Sequence, residues 1–447
     1  MFTSKDNEFI AWYPTCVRAE EAEAVWQRRR AAFYVHIPFC TAICDYCGFA
    51  VERAAEAAVP RYLAALEREI RRYAELGRLG NHRFECGHFG GGTPSVLAPA
   101  DMLRILDLIR GSFEVTTDAE ITVEVNPISF TPDKAIAYRD AGVNRISFGV
   151  QSFEDRLLRI IGRPHRGRDV DDTLVAIHAA GFTNFSLDVI YGIPSQTEDE
   201  LRADLARAVA TGATHISCFR LEIIPFTALK LREAARDIPA RLTIEQLDAM
   251  DLIVSEVLGQ HGYREYGAFN FAKPGFESVH NEIAFVAPQG EYVGFGNSAY
   301  SFINGHVYTN HAAVDAYEDA VEAGGDPIVL AHRLSLHEEM SRYFVLGLKF
   351  LRVSRTRFIE RYGLEPELLF GPVIRELEEA GMWTRVGEEW KVSARGRQYI
   401  NNMAKAFYIG DSRGRRQFAQ FVPNLTPDQI LRYARRAGHD VPSESSP

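Results

Sequence analysis

The feature that most constrains this chain is an alternation of short strand-like runs and longer helical patterns between Phe33 and about Tyr266. Each β-branched or aromatic run is followed by turn residues and then by residues at helical spacing. Strands joined in this way by right-handed crossovers predict an α/β fold, a partial parallel (β/α)6 barrel rather than the full eightfold one. The predicted strands span residues 33–37, 84–89, 120–125, 145–150, 184–190 and 215–221.

The segments outside this barrel have other patterns. Residues 1–30 are interpreted as an N-terminal extension and residues 31–265 as the barrel. Residues 266–334, rich in Gly and aromatics up to Gly305, are interpreted as a barrel extension facing the substrate, with one or two further strands. Residues 335–422 predict a C-terminal helical, winged-helix-like domain with a β-wing, and residues 423–447 a tail. Glutamates crowd the wing, which favours a packing or substrate-covering role over DNA binding.

Composition excludes several classes of function. The chain has 447 residues with 50 Lys and Arg against 60 Asp and Glu, a formal net charge of −10. This balance disfavours nucleic acid and anionic membrane surfaces as partners. No apolar run of membrane-spanning length occurs, and residues 1–14 lack the pattern of a secretory signal. A cytoplasmic protein is expected.

Three of the six cysteines, Cys40, Cys44 and Cys47, form a CxxxCxxC motif directly after the first predicted strand. Loops at the carboxyl ends of parallel strands carry the chemistry of such barrels. Three thiolates would leave one iron of a [4Fe–4S] cubane without a protein ligand, open to a small molecule. The alternatives are a zinc site completed by His36 and three unrelated buried cysteines. Zinc sites usually repeat a CxxC pair, and the remaining cysteines form no second pair, which argues against zinc.

With this motif the sequence resembles the radical S-adenosylmethionine (SAM) superfamily and, within it, the oxygen-independent coproporphyrinogen III oxidases. The resemblance covers nearly the whole chain. It rests on segments at or just beyond the predicted strands: Tyr34-Val-His-Ile-Pro-Phe-Cys40, Phe89-Gly-Gly-Gly-Thr-Pro94, Ile121-Thr-Val-Glu-Val-Asn-Pro127, Phe148-Gly-Val-Gln-Ser-Phe153 and Asp188-Val-Ile-Tyr-Gly-Ile-Pro194. It implies a [4Fe–4S] cluster held by the three cysteines, and SAM bound to its open iron.

The resemblance also implies which residues contact SAM. Glycines let a backbone approach a ligand closely, a guanidinium offers paired donors to a carboxylate, and carboxylates accept from ribose hydroxyls. Taken singly, each of these residues could instead belong to a tight turn, the barrel rim or loop packing. The implied cofactor-binding residues are Tyr34, Tyr46, Gly91, Gly92, Thr93, Glu124, Gln151, Arg163 and Asp188.

Departures from the family pattern leave three readings. The fourth cysteine of the coproporphyrinogen enzymes is Phe49 here, and a glutamine contact to a second SAM is Ala284. These changes favour a class C radical SAM methylase or cyclopropanase, which would use two SAM molecules to transfer a methyl or methylene carbon to an sp² carbon of a natural product. The first alternative is oxidative decarboxylation of coproporphyrinogen III or another tetrapyrrole reaction. The second is a haem chaperone, whose HNxxYW motif is matched only at His280-Asn281.

Further expectations concern partners and proton transfer. We expect a small-molecule substrate, an electron donor of low potential such as a flavodoxin, and a companion pathway enzyme, with neither nucleic acid nor membrane as partner. Tyr300, Glu282 and His280 are the candidates for a catalytic base.

Overall fold

The computed structural model describes residues 29–409 apart from 56, 226 and 286–289. The predicted tail and all but the end of the predicted N-terminal extension therefore lie outside the described residues. The strands are β1 (Arg29–Ile37), β2 (Phe39–Cys40), β3 (Glu52–Arg53), β4 (His82–Gly91), β5 (Val115–Val125), β6 (Arg145–Gln151), β7 (Phe185–Tyr191), β8 (His215–Arg220), β9 (Arg264–Gly267), β10 (Asn270–Ala272), β11 (Tyr292–Phe295), β12 (Tyr300–Ile303), β13 (His306–Asn310), β14 (Ile328–Arg333), β15 (Arg352–Ser354), β16 (Trp383–Val386) and β17 (Glu389–Val392).

Helices follow most of these strands. They are α1 (Ala58–Glu75), α2 (Pro99–Ser112), α3 (Pro132–Asp140), α4 (Asp155–Ile160), α5 (Asp169–Ala179), α6 (Glu198–Ala210), α7 (Ala228–Ala234), α8 (Ile244–Gln260), α9 (Val279–Phe285), α10 (Val314–Glu322), α11 (Leu336–Gly347), α12 (Arg355–Tyr362), α13 (Glu367–Glu379), α14 (Ala394–Gln398) and α15 (Ile400–Ala406). The described residues also form 3-10 turns at Pro94–Val96 and Leu348–Phe350. Among the described residues, no helix combines the length and apolar character that a membrane crossing requires.

The main sheet has twelve strands in the order β14-β13-β12-β11-β1-β4-β5-β6-β7-β8-β10-β9. The strands from β11 through β1 and β4 to β8 run parallel, and the remaining strands are antiparallel. All six predicted barrel strands are present, and the predicted α/β class with a mostly parallel sheet is confirmed. The expectation of one or two more strands after Gly267 was too low. Strands β10, β11 and β12, together with helix α9, lie between that residue and Gly305.

Side-chain alternation gives the sheet two different faces. On β1, Phe33, Val35 and Ile37 lie in the main hydrophobic core, which also contains apolar residues of α1, α2, α3, α5, α6 and α8. Because successive strand residues point to opposite faces, Tyr34 and His36 lie on the other side. We call this second side the inner face. It carries the candidate site.

A second hydrophobic core lies in the C-terminal part of the chain. It is built on Phe344, Trp383, Trp390 and Phe407, and the rings of Phe344 and Phe407 stack with centroids 4.4 Å apart. The predicted wing is present as β16 and β17, to which β15 adds a third strand. This part docks on the sheet edge through the Arg397–Glu265 ion pair at 2.7 Å.

A buried carboxylate ties the extension strands to the barrel. Glu69 of α1 accepts hydrogen bonds from Gly296 N at 2.8 Å, from Asn310 Nδ2 at 2.7 Å and from the Tyr317 hydroxyl at 2.7 Å. These donors follow β11, end β13 and lie in α10. Burial nevertheless raises the pKa of Glu69 to about 7, although the three hydrogen bonds act in the opposite direction.

This raised pKa predicts a pH-dependent stability. An unfolded glutamate titrates near pH 4.3, so the folded protein binds this proton more tightly than the unfolded chain. The stabilisation is complete below that pH and is lost as pH rises through about 7, an effect of roughly 4 kcal/mol. Glu69→Gln should remove this part of the slope in urea unfolding between pH 4.5 and 8. Glu67→Gln on the same helix is the control. An unchanged slope in Glu69→Gln would contradict the prediction.

Candidate active site

The three cysteines of the motif lie together where β1 ends. Cys40 ends β2, which pairs with β3, and the Thr93 hydroxyl donates to Cys40 Sγ at 3.4 Å. Cys44 and Cys47 follow in the loop, and Cys47 N donates to Cys44 O at 3.1 Å. Burial raises the pKa of Cys40 to about 11 and that of Cys47 to about 12, and Cys44 lies near enough to raise both further.

The cysteine loop is held in place from two sides. Asp45 N donates to Ile161 O at 3.2 Å, Leu229 N donates to Asp45 O at 2.7 Å, and Arg232 pairs with the Asp45 carboxylate at 2.6 Å. Gly162, with a φ of +67°, is required here because a Cβ atom would lie 2.3 Å from the Asp45 carboxyl carbon. These contacts position the backbone between Cys44 and Cys47 through Asp45.

His36 holds the other end of the loop. Burial lowers its pKa to about 4, so the ring is neutral. Its Nε2 lies 3.1 Å from Ala50 O, an acceptor only, so Nε2 carries the proton and Nδ1 accepts from the Tyr34 hydroxyl at 3.0 Å. The hydroxyl of Tyr62 donates to His36 O at 2.7 Å. His36 therefore positions the loop and Tyr34.

The glycine-rich turn after β4 packs directly on this loop. A Cβ atom at Gly91, whose φ is +106°, would lie 2.4 Å from the His36 ring, and one at Gly92 would lie 2.7 Å from the Pro38 backbone. Gly92 N donates to Ile37 O at 2.8 Å and Thr93 N donates to Phe39 O at 2.9 Å. Close packing within the chain thus already requires both glycines.

Arg163 contacts the cluster motif directly. Its Nη1 donates to Cys44 Sγ at 3.1 Å and its Nη2 donates to Gly149 O at 2.5 Å, whereas the buried Nε has no partner among the described residues. The nearby Gln151 side chain is buried on a backbone with φ of +66°, at an irregularity in the β6–β7 pairing. Such a conformation in a residue other than glycine is a strain often found at functional sites.

Two carboxylates lie on the inner face beside this group. Glu124 accepts from Gly91 N at 3.3 Å and lies 2.8 Å from His88 Nε2. Burial raises the pKa of Asp188 to about 7, the negative charge of Glu124 raises it further, and a hydrogen bond from Ser217 opposes both. Tyr46 packs against the small apolar cluster that contains Ile161 and Leu229 and lies close enough to Arg163 and Asp188 to interact with them electrostatically.

The structure therefore brings most of the predicted SAM residues to one end of the inner face. Sequence reasoning missed His88, whose ring stacks on Tyr34 with centroids 6.0 Å apart and bonds Glu124. His88 lies two residues before Gly90 on β4, so both residues face the same side of the sheet, and this spacing could have identified His88 from the sequence. Ser217, the partner of Asp188, follows from the Asp188–Ser217 register of β7 and β8 in the same way.

The three candidate bases have different locations. His280 is the second residue of α9, its ring lies 4.9 Å from that of His88, and its buried Nδ1 has no partner among the described residues. Glu282, two residues further along α9, is exposed and about 200° around the helix from His280. Tyr300 is 44% exposed and packs against Tyr292, with ring centroids 5.8 Å apart. Of the three candidates, only His280 has a described ring contact with His88, which in turn bonds Glu124.

The donor set fits a [4Fe–4S] cluster. Within the described ranges, no three His, Cys, Asp or Glu side chains converge on a single ion. A cubane does not need that geometry, because each thiolate binds its own iron atom. Three neighbouring thiols at a strand end, with a guanidinium on one of them, provide this arrangement.

Comparison with known proteins identifies relatives over most of the chain. A profile of the radical SAM superfamily matches residues 34–208. The haem chaperone HemW of Bacillus subtilis is 35% identical over 353 residues, which are 78% of this chain and 91% of that protein. The oxygen-independent coproporphyrinogen III oxidase of Salmonella typhimurium is 28% identical and covers 92% of this chain and 94% of its own length.

A solved structure shows the same fold. The coproporphyrinogen III oxidase of Escherichia coli, described as a radical SAM enzyme, superposes with a TM-score of 0.75 at 27% identity, over 85% of this chain and 90% of that one.

Proposed function

The chain belongs to the radical SAM superfamily and, within it, to the family that contains the haem chaperones and the oxygen-independent coproporphyrinogen III oxidases, and from this premise we propose that it directs radical chemistry at a tetrapyrrole. It is a radical SAM enzyme that uses a [4Fe–4S] cluster and SAM. The observation that carries the proposal is the site itself. Three thiols, Arg163 and two inner-face carboxylates meet at one end of the parallel strands.

The cluster and SAM, when bound, supply the electron transfer and the 5′-deoxyadenosyl radical that abstracts a hydrogen atom from the substrate. The residues of the chain position and shield these groups. Cys40, Cys44 and Cys47 would hold the cluster, and the contact of Arg163 with Cys44 Sγ places a positive charge beside the thiolate. Glu124 and Asp188 would accept hydrogen bonds from the amino and hydroxyl groups of SAM.

The remaining SAM contacts keep their proposed roles. Tyr34 would lie beside SAM, Gln151 would contact the ribose, and the unpartnered Nε of Arg163 would face the SAM carboxylate. An external reductant of low potential, such as a flavodoxin, would deliver the electron. Use of a second SAM molecule stays a prediction.

Two comparisons support a tetrapyrrole over carbon transfer to a natural product. The oxidases match this chain nearly end to end, and the haem chaperones reach higher identity over a shorter span. The class C methylase or cyclopropanase reading has no support from these relatives. The departures at Phe49 and Ala284 on which that reading rested do not outweigh the shared length.

One assay tests the proposal against the methylase reading. Reconstituted protein, methyl-deuterated SAM, a strong reductant and coproporphyrinogen III are incubated without oxygen and analysed by mass spectrometry. We expect 5′-deoxyadenosine and a tetrapyrrole that has lost carboxyl groups as CO₂, without deuterium in the macrocycle. Deuterated carbon in the product would establish methyl transfer instead. 5′-Deoxyadenosine with unaltered coproporphyrinogen III would contradict its decarboxylation by this enzyme.

Haem binding is the second candidate function, favoured by the unpartnered Nδ1 of His280 beside His88 and by the identity with the haem chaperones. A haem titration that gives a sharp Soret band in the wild type and loses it in His280→Ala would support haem binding. A titration that is the same in both proteins would exclude His280 as the ligand.

A further inference from the structure

One arginine on the inner-face side of the C-terminal part has no acidic partner among the residues that the structure describes. Arg342 of α11 is partly buried, and its guanidinium lies over the Phe302 ring at 3.9 Å from the centroid. Its Nη1 lies beside Gly290, where an added Cβ atom would be 3.2 Å away. Arg342 thus bridges the C-terminal helix α11 and the hairpin of β11 and β12.

Apart from Arg163, which contacts Cys44 Sγ and Gly149 O, other substantially buried arginines in the described part of the chain are paired with carboxylates. Arg145 lies 3.4 Å from Glu120, Arg397 lies 2.7 Å from Glu265, and Arg220 lies 2.6 Å from Asp251. Arg342 makes no ion pair within the described part of the chain. The polar side chains that act most strongly on it are the phenols of Tyr292, Tyr300 and Tyr362 and the cation of Arg361. A buried cation without a counterion is costly, which points to a ligand that supplies one.

Strand register places this cation on the substrate side of the sheet. Val293 and Phe295 of β11 lie in the main core, so Tyr292 and Gly294 face inward. Tyr292 pairs with Phe302 on β12, and directly paired residues of antiparallel strands share a face. Tyr300, two residues before Phe302, therefore faces inward as well, as its 44% exposure allows.

The same register relates this group to the SAM residues. Gly294 pairs with Tyr34 on β1, and the Tyr300 backbone oxygen lies 2.7 Å from the position of a Cβ on Gly294. Tyr300 is thus two strands from Tyr34 at the same height, which is roughly 10 Å at the usual strand spacing. A substrate that reaches from the SAM residues across two strands would meet the Arg342 group.

We propose that Arg342, with the phenols of Tyr292 and Tyr300, forms a subsite for a carboxylate of the substrate. A guanidinium and phenolic hydroxyls are hydrogen-bond donors, and a carboxylate is an acceptor that also neutralises the cation. This inference rests on the proposed function, since a tetrapyrrole with propionate side chains carries such carboxylates. Tyr300 acts here as a binding residue rather than as the catalytic base expected from the sequence.

A purely structural role for Arg342 predicts a different outcome. If Arg342 only stacked on Phe302 and held α11 against the hairpin, removal of the guanidinium would lower the stability of the protein and would affect the binding of charged and uncharged ligands alike. The test therefore compares a carboxylate-bearing probe with its uncharged ester in folded protein of equal iron content.

The experiment measures binding of coproporphyrin III and of its tetramethyl ester by fluorescence quenching. Arg342→Gln should weaken coproporphyrin III binding roughly tenfold to a hundredfold, the loss expected for charge-assisted hydrogen bonds, and leave ester binding unchanged. Arg342→Lys keeps the charge but not the planar fork, and should fall between the two. Arg352→Gln, which changes an exposed arginine of β15, is the control and should bind as the wild type does.

Equal affinity of wild type and Arg342→Gln for coproporphyrin III would overturn the subsite and leave the proposed function intact. Absence of coproporphyrin III binding in the wild type would overturn both. If Arg342→Gln does not fold, the decision rests on Arg342→Lys. Binding of coproporphyrin III by Arg342→Lys with the affinity of the wild type would overturn a subsite that depends on the planar guanidinium.

Discussion

Replacement of Cys44 by Ala is expected to reduce the cleavage of SAM to 5′-deoxyadenosine to the rate seen without protein. Cys44 lies between the other two thiols in sequence, and its sulfur is the one that Arg163 contacts at 3.1 Å. Loss of this ligand removes one of three protein attachments of the cluster. The measurement is anaerobic SAM cleavage with dithionite, followed by chromatography of the nucleosides.

Cys218→Ala is the matched control for this prediction. Cys218 is a fully buried cysteine of β8 in the main core and is remote in sequence from the motif. This variant should keep its iron and its SAM cleavage, because a small cavity in the core costs stability rather than activity. Full cleavage by Cys44→Ala would remove the cluster assignment, and equal loss in both variants would show that the effect is unspecific.

Asp188→Asn is expected to raise the Kd for SAM by roughly tenfold to a hundredfold, because an amide accepts hydrogen bonds from hydroxyls less strongly than a carboxylate does. The pKa of Asp188 is raised to about 7, so the carboxyl group of the free protein is largely protonated below that pH. SAM affinity of the wild type should therefore increase as pH rises through about 7. The affinity of Asp188→Asn should lack this step.

Ser217→Ala is a control that should shift the pH profile of SAM affinity rather than remove its step. The Ser217 hydroxyl donates to Asp188 and lowers its pKa, so its removal should move the midpoint of the SAM affinity profile to higher pH without abolishing binding. Calorimetric titration of the reconstituted protein from pH 6 to 8.5 measures both effects. A pH profile in Asp188→Asn that matches the wild type would rule out Asp188 as the titrating group.

The parallel strands could be predicted from the sequence because each has a run of residues that face the main core. Val123 and Val125 of β5 flank Glu124 and give the strand both its apolar pattern and its functional residue. The extension strands carry weaker signals. Strand β11 has only four residues, one of them Gly294, and its parallel pairing with β1 is a contact between residues about 260 positions apart.

The site was predictable where a residue lies within a motif, and less so where its role depends on a neighbouring strand. Cys40, Cys44 and Cys47, the proposed cluster ligands, lie within eight positions of one another at the end of β2 and in the loop that follows. His88 acquires its role from Glu124 on β5, and Arg342 from aromatic rings on β11 and β12. Such pairings depend on register, which spacing along the chain does not show.

The measurement that tests the account most directly is the iron and sulfide content of protein reconstituted without oxygen, together with its electron paramagnetic resonance spectrum before and after SAM is added. The account predicts about four irons and four sulfides per chain, and a spectrum of the reduced cluster that changes when SAM is added. A protein that binds zinc in place of iron, or a cluster whose spectrum is the same with and without SAM, would contradict it.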